Sequence, residues 1–398
     1  MKPSEPIRRR WTHRAAVPCL TAVLCLALGS STSAGGADDG TDRPARAPIV
    51  KTRNIAPGVR YQKIVRRQVP LKTYVLTLDL SKKITLDTAL ADAALPSRRP
   101  LTDIVRSGGA LAGVNGDWFD LGTGIPAHTF AQDGDLLRTT TLGGTGFGVT
   151  RDESSVLFEN PRVDVTLTDT STGRTFTIDR WNQGDPTVGE LAGFSPLGGT
   201  SEPPPRFACS VRLLPLGKPT VAEPDGVSRP YVVDVASCSE DPLARQGGVV
   251  ISAEPATDEA VELLALEPGT DMRLHWTAGW SNVFDVIGGG PLLLRDGKLV
   301  GICNSQCGRH PRTGVGVTAT GRILLVVVDG RHRRSRGATM FEFARIMRDL
   351  GASTALNLDG GGSSEMVVQG EVVNVPSDGH ERAISNAILV LPGPDPGE

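Results

Sequence analysis

The chain lacks most of the signatures that would place it quickly. Its 398 residues carry a formal charge of -2, so nothing in the balance points to nucleic acid. No G-x-S-x-G elbow and no H-E-x-x-H pair is present, which excludes the common serine-hydrolase and zinc-protease patterns. The glycine run at 360–362 lacks the lysine of a phosphate-binding Walker loop. Past the N-terminus no apolar run is long enough to span a membrane. Aromatic residues are 5% of the chain and hydrophobic ones 39%, an ordinary globular composition for one large domain or two smaller ones.

The N-terminus carries an export pattern. Arg8, Arg9 and Arg10 precede the apolar stretch AAVPCLTAVLCLALG, and STSA offers small residues for cleavage near Ala34. The apolar run is short and contains Pro18, which disfavours a membrane anchor. Cys25 follows Leu24 rather than a small residue, so a lipoprotein site is not expected. Residues 1–34 are therefore predicted to be a signal peptide, and 35–50 a disordered linker. Secretion, with bacterial export, is the expected localisation.

Without the signal, four cysteines remain: Cys209, Cys238, Cys303 and Cys307. An even number in an exported chain suggests disulfides, and four allow three pairings. The local pairs Cys209–Cys238 and Cys303–Cys307 are the simplest. A zinc site competes weakly, since CNSQC has no second ligand pair at suitable spacing.

Hydrophobic patterning predicts an α+β fold, a central mostly antiparallel or mixed sheet with a few helices. Residues 51–104 form its opening strands and 105–392 the main domain. YVLTLDL and ITLDTAL alternate like strands, with SKK as the turn between them. PLTDIVRSGGALAGVNGDWF reads as a short helix, a glycine break and a buried strand. Residues 151–285 read as a strand-rich insertion or sheet extension, with a hairpin around Thr172-Gly173. RILLVVVDGR has the unbroken apolar character of a strand buried on both faces. ATMFEFARIMRDLG is a helix with Thr339 and Glu342 as a capping box and Gly351 beyond its end. Three segments share one layout: a glycine-rich loop, a strand, an x-Gly turn and another strand. They are NGDWFDLGTGIP…AQDGDLLR, IGGGPLLLRDGKLV and DGGGSSEMVVQGEVV, and their glycine loops are expected to converge.

The candidate chemistry sits in those loops. In an extended NLDGGGSS segment, Asn357 and Asp359 share a face while Leu356 and Leu358 point into the core. Gly360, Gly361 and Gly362 let a ligand approach the backbone, whose N–H groups can cradle an anion, and Ser363 and Ser364 add hydroxyls. A ligand-free strained turn is the plainer reading. Asn115 and Asp117 repeat the spacing, and His128 follows with its near-neutral titration. Arg312 and Arg331 adjoin buried strands and can fork onto phosphate or carboxylate. Asp329 adjoins Arg331, and Glu381 and Arg382 precede the last strand, placed to pair with each other or with the site.

GVNGDWFD, IGGGPLLLRDG, HPRTGVGV, LLVVVDGR, LGASTALNLDGGGSSEMVV and ERAISNAILV, in that order over roughly residues 105 to 392, resemble the phosphodiester glycosidase family. The family often shows a second glycine and an aromatic pair where this chain has Asp117 and Trp118. The resemblance implies hydrolysis of a sugar-1-phosphodiester at the anomeric C–O bond, of the N-acetylglucosamine-1-phosphodiester kind. It implies a sugar-phosphodiester partner, a small molecule or an envelope polymer, and no required cofactor. Arg312, Arg331 and the 360–364 backbone are then assigned to phosphate. Asp359 and Asp117 are the candidate base or nucleophile, with Asp329 in reserve, and Asn115, Asn357 and His128 are assigned to sugar hydroxyls, with Glu381 at the same site. Two alternatives compete. One is a non-catalytic carbohydrate-binding envelope protein. The other is a metal-dependent phosphoesterase with Asp117, Asp329 and Asp359 around a divalent ion. A structural divalent ion is compatible with any of the three.

Overall fold

A computed structural model describes residues 47–393, apart from 141–142, 151, 153–154, 218–221, 224, 240–246 and 301–306. The signal peptide, most of the 35–50 linker and Cys303 lie outside the described residues. The described chain is α+β: strands dominate, and three α-helices accompany them, α1 (Leu101–Ser107), α2 (Asp258–Leu264) and α3 (Met340–Asp349).

An eight-stranded antiparallel sheet forms the frame. Its order is Ile49–Ala56, Val59–Arg66, Leu71–Leu78, Ile323–Val328, Arg312–Thr318, Ala352–Asn357, Leu292–Arg295 and Lys298–Leu299. Ile323–Val328 is buried along its whole length, as its unbroken apolar sequence predicts. One sheet face packs Leu325, Val327, Val315 and Leu356 against the neighbouring sheets. The other packs Leu324, Val326, Val328 and Ala355 against Met340, Phe343, Ala344 and Met347 of α3. Thr339 and Glu342 close both halves of the capping box, and Gly351 beyond the helix end takes φ +98°. The short α1 packs Leu101, Ile104 and Val105 on the sheet that contains Ala112–Asn115.

YVLTLDL and ITLDTAL are strands, but they do not pair with each other. Leu71–Leu78 pairs Val59–Arg66 and Ile323–Val328, whereas Ile84–Leu90 pairs Asn386–Pro392 in a five-stranded sheet. The SKK turn carries the chain from one sheet to another. In the middle region, Asp164–Ser239 and Val249–Thr277 supply a nine-stranded sheet with its own core, including Trp181, Trp276 and Trp280. The hairpin around Thr172-Gly173 is present there, with Gly173 at φ +75°.

The three-fold echo in the sequence is structural. Each of Asp133-Gly134, Asp296-Gly297 and Gln369-Gly370 takes positive φ at both positions, the geometry of a type I′ hairpin turn. The three hairpins lie in three different sheets.

Cys209 and Cys238 face each other across neighbouring strands and form a disulfide. Replacing both by alanine is expected to lower the unfolding free energy by about 2–4 kcal/mol, from the loop it closes. Urea denaturation of the two proteins measures the difference.

Candidate active site

The strands Ala112–Asn115, Val283–Gly289 and Ala352–Asn357 each run out into a glycine loop, and the loops meet. Hydrogen bonds stitch them. Asn115 Nδ2 donates to the Asp359 carbonyl (2.8 Å), and Asp359 N–H donates to the Gly116 carbonyl (2.9 Å). Asn357 Nδ2 donates to the Gly290 carbonyl (2.8 Å), and Gly290 N–H donates to the Asn357 carbonyl (2.8 Å). At Gly288 a Cβ would run into His128 and come within 3.1 Å of Asp117 Oδ2, so glycine keeps room for that pair.

This stitching changes the expected roles of the two asparagines. Asn115 is 1% exposed, and its Oδ1 accepts from Thr313 Oγ1 (2.7 Å) and Glu365 N–H (3.0 Å). Asn357 is fully buried and shares its amide between Gly290 and Leu358 carbonyls. Asn115 is engaged at both ends of its amide, whereas Asn357 commits its Nδ2 and keeps a buried Oδ1 without a hydrogen-bond partner.

Asp117 and His128 form a dyad. Asp117 accepts from Trp118 N–H (2.8 Å) and His128 N–H (2.9 Å), and its Oδ1 lies 2.8 Å from His128 Nδ1. Its own N–H donates to Asn386 Oδ1 (2.8 Å). The Asp117 side chain is fully buried, while that of His128 keeps 15% exposure. Burial alone would push the imidazole pKa down, but the hydrogen bond and charge of Asp117 outweigh it and hold the ring above its usual value. With Nδ1 engaged, Nε2 is the free ring nitrogen, beside Gly144. Trp118 stands against the imidazole, with ring centroids 5.7 Å apart.

Asp359 opens the third loop. Burial pushes its carboxyl up to about 6. Ser363 and the Gly360 N–H (2.7 Å) pull the other way, the Asp117 charge adds to the rise, and Arg382 opposes it. The three following glycines answer three separate demands. A Cβ on Gly360 would sit 2.9 Å from the Pro311 carbonyl. Gly361 takes φ +64°, and its Cβ would meet the Arg331 guanidinium at 3.0 Å. A Cβ on Gly362 would collide with Arg382 and Asp378.

Cations surround this loop. Arg331 takes φ +60°, unusual for a non-glycine residue, and the bend brings its guanidinium over Gly361. Its Nη2 donates to His310 Nδ1 (3.2 Å). Arg382 pairs with Asp378 (2.6 Å) and reaches Ser363 Oγ (3.4 Å). Arg312 is 2% exposed, and donates from Nε to the Ala338 carbonyl (3.0 Å) and from Nη2 to the Gly308 carbonyl (2.8 Å). Burial, then the charge of Arg331, push its pKa down to about 10. Ser364 is buried beneath the loop.

Two expected site residues are spent elsewhere. Asp329 is 1% exposed and accepts from Tyr74 hydroxyl (2.9 Å) and Val375 N–H (2.9 Å). Glu381 accepts from the Thr102 N–H and hydroxyl at the start of α1. It does not pair with Arg382, which alone of the two touches the glycine loop. Asp117, Asp329 and Asp359 thus do not gather as metal ligands. Among the described residues, the carboxylates that come within 4.8 Å of one another are Asp87, Asp133 and Asp285, none of them in the three loops. Asn386, which holds Asp117, lies inside the ERAISNAILV motif but was not singled out as a site residue; a polar residue opening an otherwise apolar strand was its trace. Glu365 also escaped notice: it is 2% exposed, and burial followed by the Glu381 charge pushes it up to about 8.

Residues 226–391 match the family model of the phosphodiester glycosidases. Over that span the chain is similar to the phosphodiester glycosidases. That span holds Gly288–Gly290, Arg312, Arg331, Asp359 and Arg382, while Asp117 and His128 precede it. The chain is 38% identical over 82 residues to the SPbeta prophage-derived uncharacterized protein YomE of Bacillus subtilis (strain 168), covering 21% of this chain and 13% of that one. Over 67 residues it is 39% identical to N-acetylglucosamine-1-phosphodiester alpha-N-acetylglucosaminidase of Mus musculus, covering 17% of this chain and 13% of that enzyme. These matches therefore span only a small part of either relative. A crystal structure of a hypothetical protein from Synechocystis shares the fold, with a TM-score of 0.64 and 23% identity over 86% of this chain and 64% of that one.

Two measurements test this site without substrate. Asp359 has its folded pKa raised, so its stabilising protonated form is complete below the unfolded value near 3.8 and lost as pH rises through about 6. Asp359→Asn should therefore gain about 1–2 kcal/mol over wild type at pH 7 relative to pH 4, read from denaturation at both. Asp117→Asn should lower the His128 titration midpoint in imidazole NMR. An unmoved midpoint would remove the dyad.

Proposed function

We propose that the chain is an exported hydrolase that cleaves a sugar-1-phosphodiester, of the N-acetylglucosamine-1-phosphodiester kind, at the anomeric C–O bond. The observation that carries this reading is a single weakly acidic carboxyl, Asp359, set beside glycine backbone and between two guanidinium groups. Phosphate is a stable leaving anion and needs little protonation. Fixed positive charge and N–H groups aimed at it suffice to lower the barrier. Arg331 and Arg382 supply that charge above the loop, and Arg312 supplies it from beneath.

Asp359, ionised, faces the anomeric carbon as base or nucleophile. His128, held by Asp117, presents Nε2 to the substrate, and the Asp117 hydrogen bond and charge favour its donor form. In the net reaction the sugar takes the hydroxyl of water. The departing phosphate oxygen keeps the electron pair of the broken bond, and the proton of water goes to the phosphomonoester. No cofactor enters this scheme. The disulfide and the N-terminal pattern support export. No helix among the described residues is long and apolar enough to cross a membrane.

The purified protein is expected to convert the methyl diester of N-acetylglucosamine-1-phosphate into free N-acetylglucosamine and methyl phosphate. Release of methanol and sugar phosphate instead would point to a phosphoesterase. Asp359→Asn should lose at least about 100-fold in kcat/KM. The wild-type profile should climb through pH about 6 as Asp359 ionises, and fall at higher pH as His128 loses its proton.

A further inference from the structure

Arg331 belongs to a cationic surface much larger than one phosphate requires. The chain returns on itself at 332–335, with His332 and Ser335 bridged by paired backbone hydrogen bonds. Arg333 and Arg334 form the exposed tip of that turn, two and three residues from the guanidinium that covers Gly361. The same turn is tied to the 67–70 turn of the eight-stranded sheet. Arg336 N–H donates to the Pro70 carbonyl (3.0 Å), and Lys72 N–H donates to Ser335 Oγ (3.0 Å). That second turn brings exposed Arg66 and Arg67, with Lys72 beside them.

This concentration is not a reflection of composition. The whole chain has 42 basic and 44 acidic residues. Glu342, an acidic residue at this edge, is already engaged by Arg309 and Arg336. Arg66, Arg67, Arg333 and Arg334 carry their charge into solvent, which costs stability through self-repulsion unless an anion neutralises it. Two turns far apart in sequence, both arginine-tipped and hydrogen-bonded together, give a continuous positive face that ends at the glycine loop.

Resting on the glycosidase reading above, we propose that this face holds the polyanionic remainder of the substrate, so that the sugar-phosphodiester is one unit on an anionic phosphate polymer. Arg331 holds the phosphate at the scissile bond, and the tips beyond it track phosphates further along the same chain. Arginine suits this task because its planar fork takes phosphate in two-point contact. An anionic membrane surface is the competing partner. Phe341 at this edge and Val69 in the 67–70 turn are exposed apolar side chains, and the Arg345 guanidinium stands over the Phe341 ring (6.0 Å), so the vesicle arm of the test below decides between the two partners.

The test uses purified protein and long-chain inorganic polyphosphate as the probe, with binding followed by fluorescence anisotropy. Wild type should bind it, and lose at least about tenfold in affinity between about 50 and about 200 mM salt. A variant with Arg66→Glu, Arg67→Glu, Arg333→Glu and Arg334→Glu should bind at least about 30-fold more weakly, and the milder Arg→Gln set about tenfold. Both should keep the wild-type melting profile and hydrolyse the small methyl diester within about twofold of wild type. The proposal is overturned if wild type ignores polyphosphate, if the variants bind it equally well, or if phosphatidylglycerol vesicles bind and polyphosphate does not displace them. Binding needs no turnover. Failure of every protein to hydrolyse the methyl diester would therefore count against the glycosidase reading and leave the surface standing.

Discussion

Two buried side-chain amides hold this molecule's chemistry in place. Asn115 and Asn357 each end a strand and each spend their amide on the backbone of another loop. Leaving a buried carbonyl without such a partner costs about 1–3 kcal/mol, more than a typical hydrogen bond contributes net. The loops therefore have one inexpensive arrangement, and in it Asp117, His128 and Asp359 come together. No loop is held by its own hairpin alone.

The electrostatics follow from that arrangement. Packing the loops buries Asp359 enough to weaken its acidity, and brings Asp117 near enough to weaken it further. The surrounding guanidinium groups would ordinarily reverse this, yet Arg382 is largely committed to Asp378 and Arg312 to carbonyl oxygens. The result is a carboxyl near the threshold of ionisation inside a positive rim. Glu365, close behind it in sequence, is pushed up to about 8 by burial and by the charge of Glu381.

Much of this was legible in the sequence, and the divide is physical. Periodicity located α3, its caps and the Ile323–Val328 strand, because local packing and local hydrogen bonds decide them. The three x-Gly hairpins were legible as a repeated layout, since I′ turns demand glycine at a fixed offset. Partner choice was not legible. YVLTLDL and ITLDTAL alternate alike, and only partners distant in sequence send them to different sheets. The backbone partners of Asn115, Asn357 and Asp329 were not legible for the same reason. A polar residue facing a ligand and one stitching a distant carbonyl look identical until the distant partner is known. Glu381 and Arg382 sit side by side, and a helix N-terminus contributed by Thr102 takes one and leaves the other to the loop.

The stitching also sets an order of events. Asn115 meets Asp359 across 244 residues, Glu365 meets Asn115 across 250, and Asp117 is anchored by Asn386 across 269. Contacts so distant along the chain form late, since closing each loop must precede the gain it brings. A chain emerging N-terminus first carries Asp117 and His128 early but cannot fix either until its last strand arrives. The hydrogen bond that anchors Asp117 therefore waits for Asn386, at the start of the last described strand.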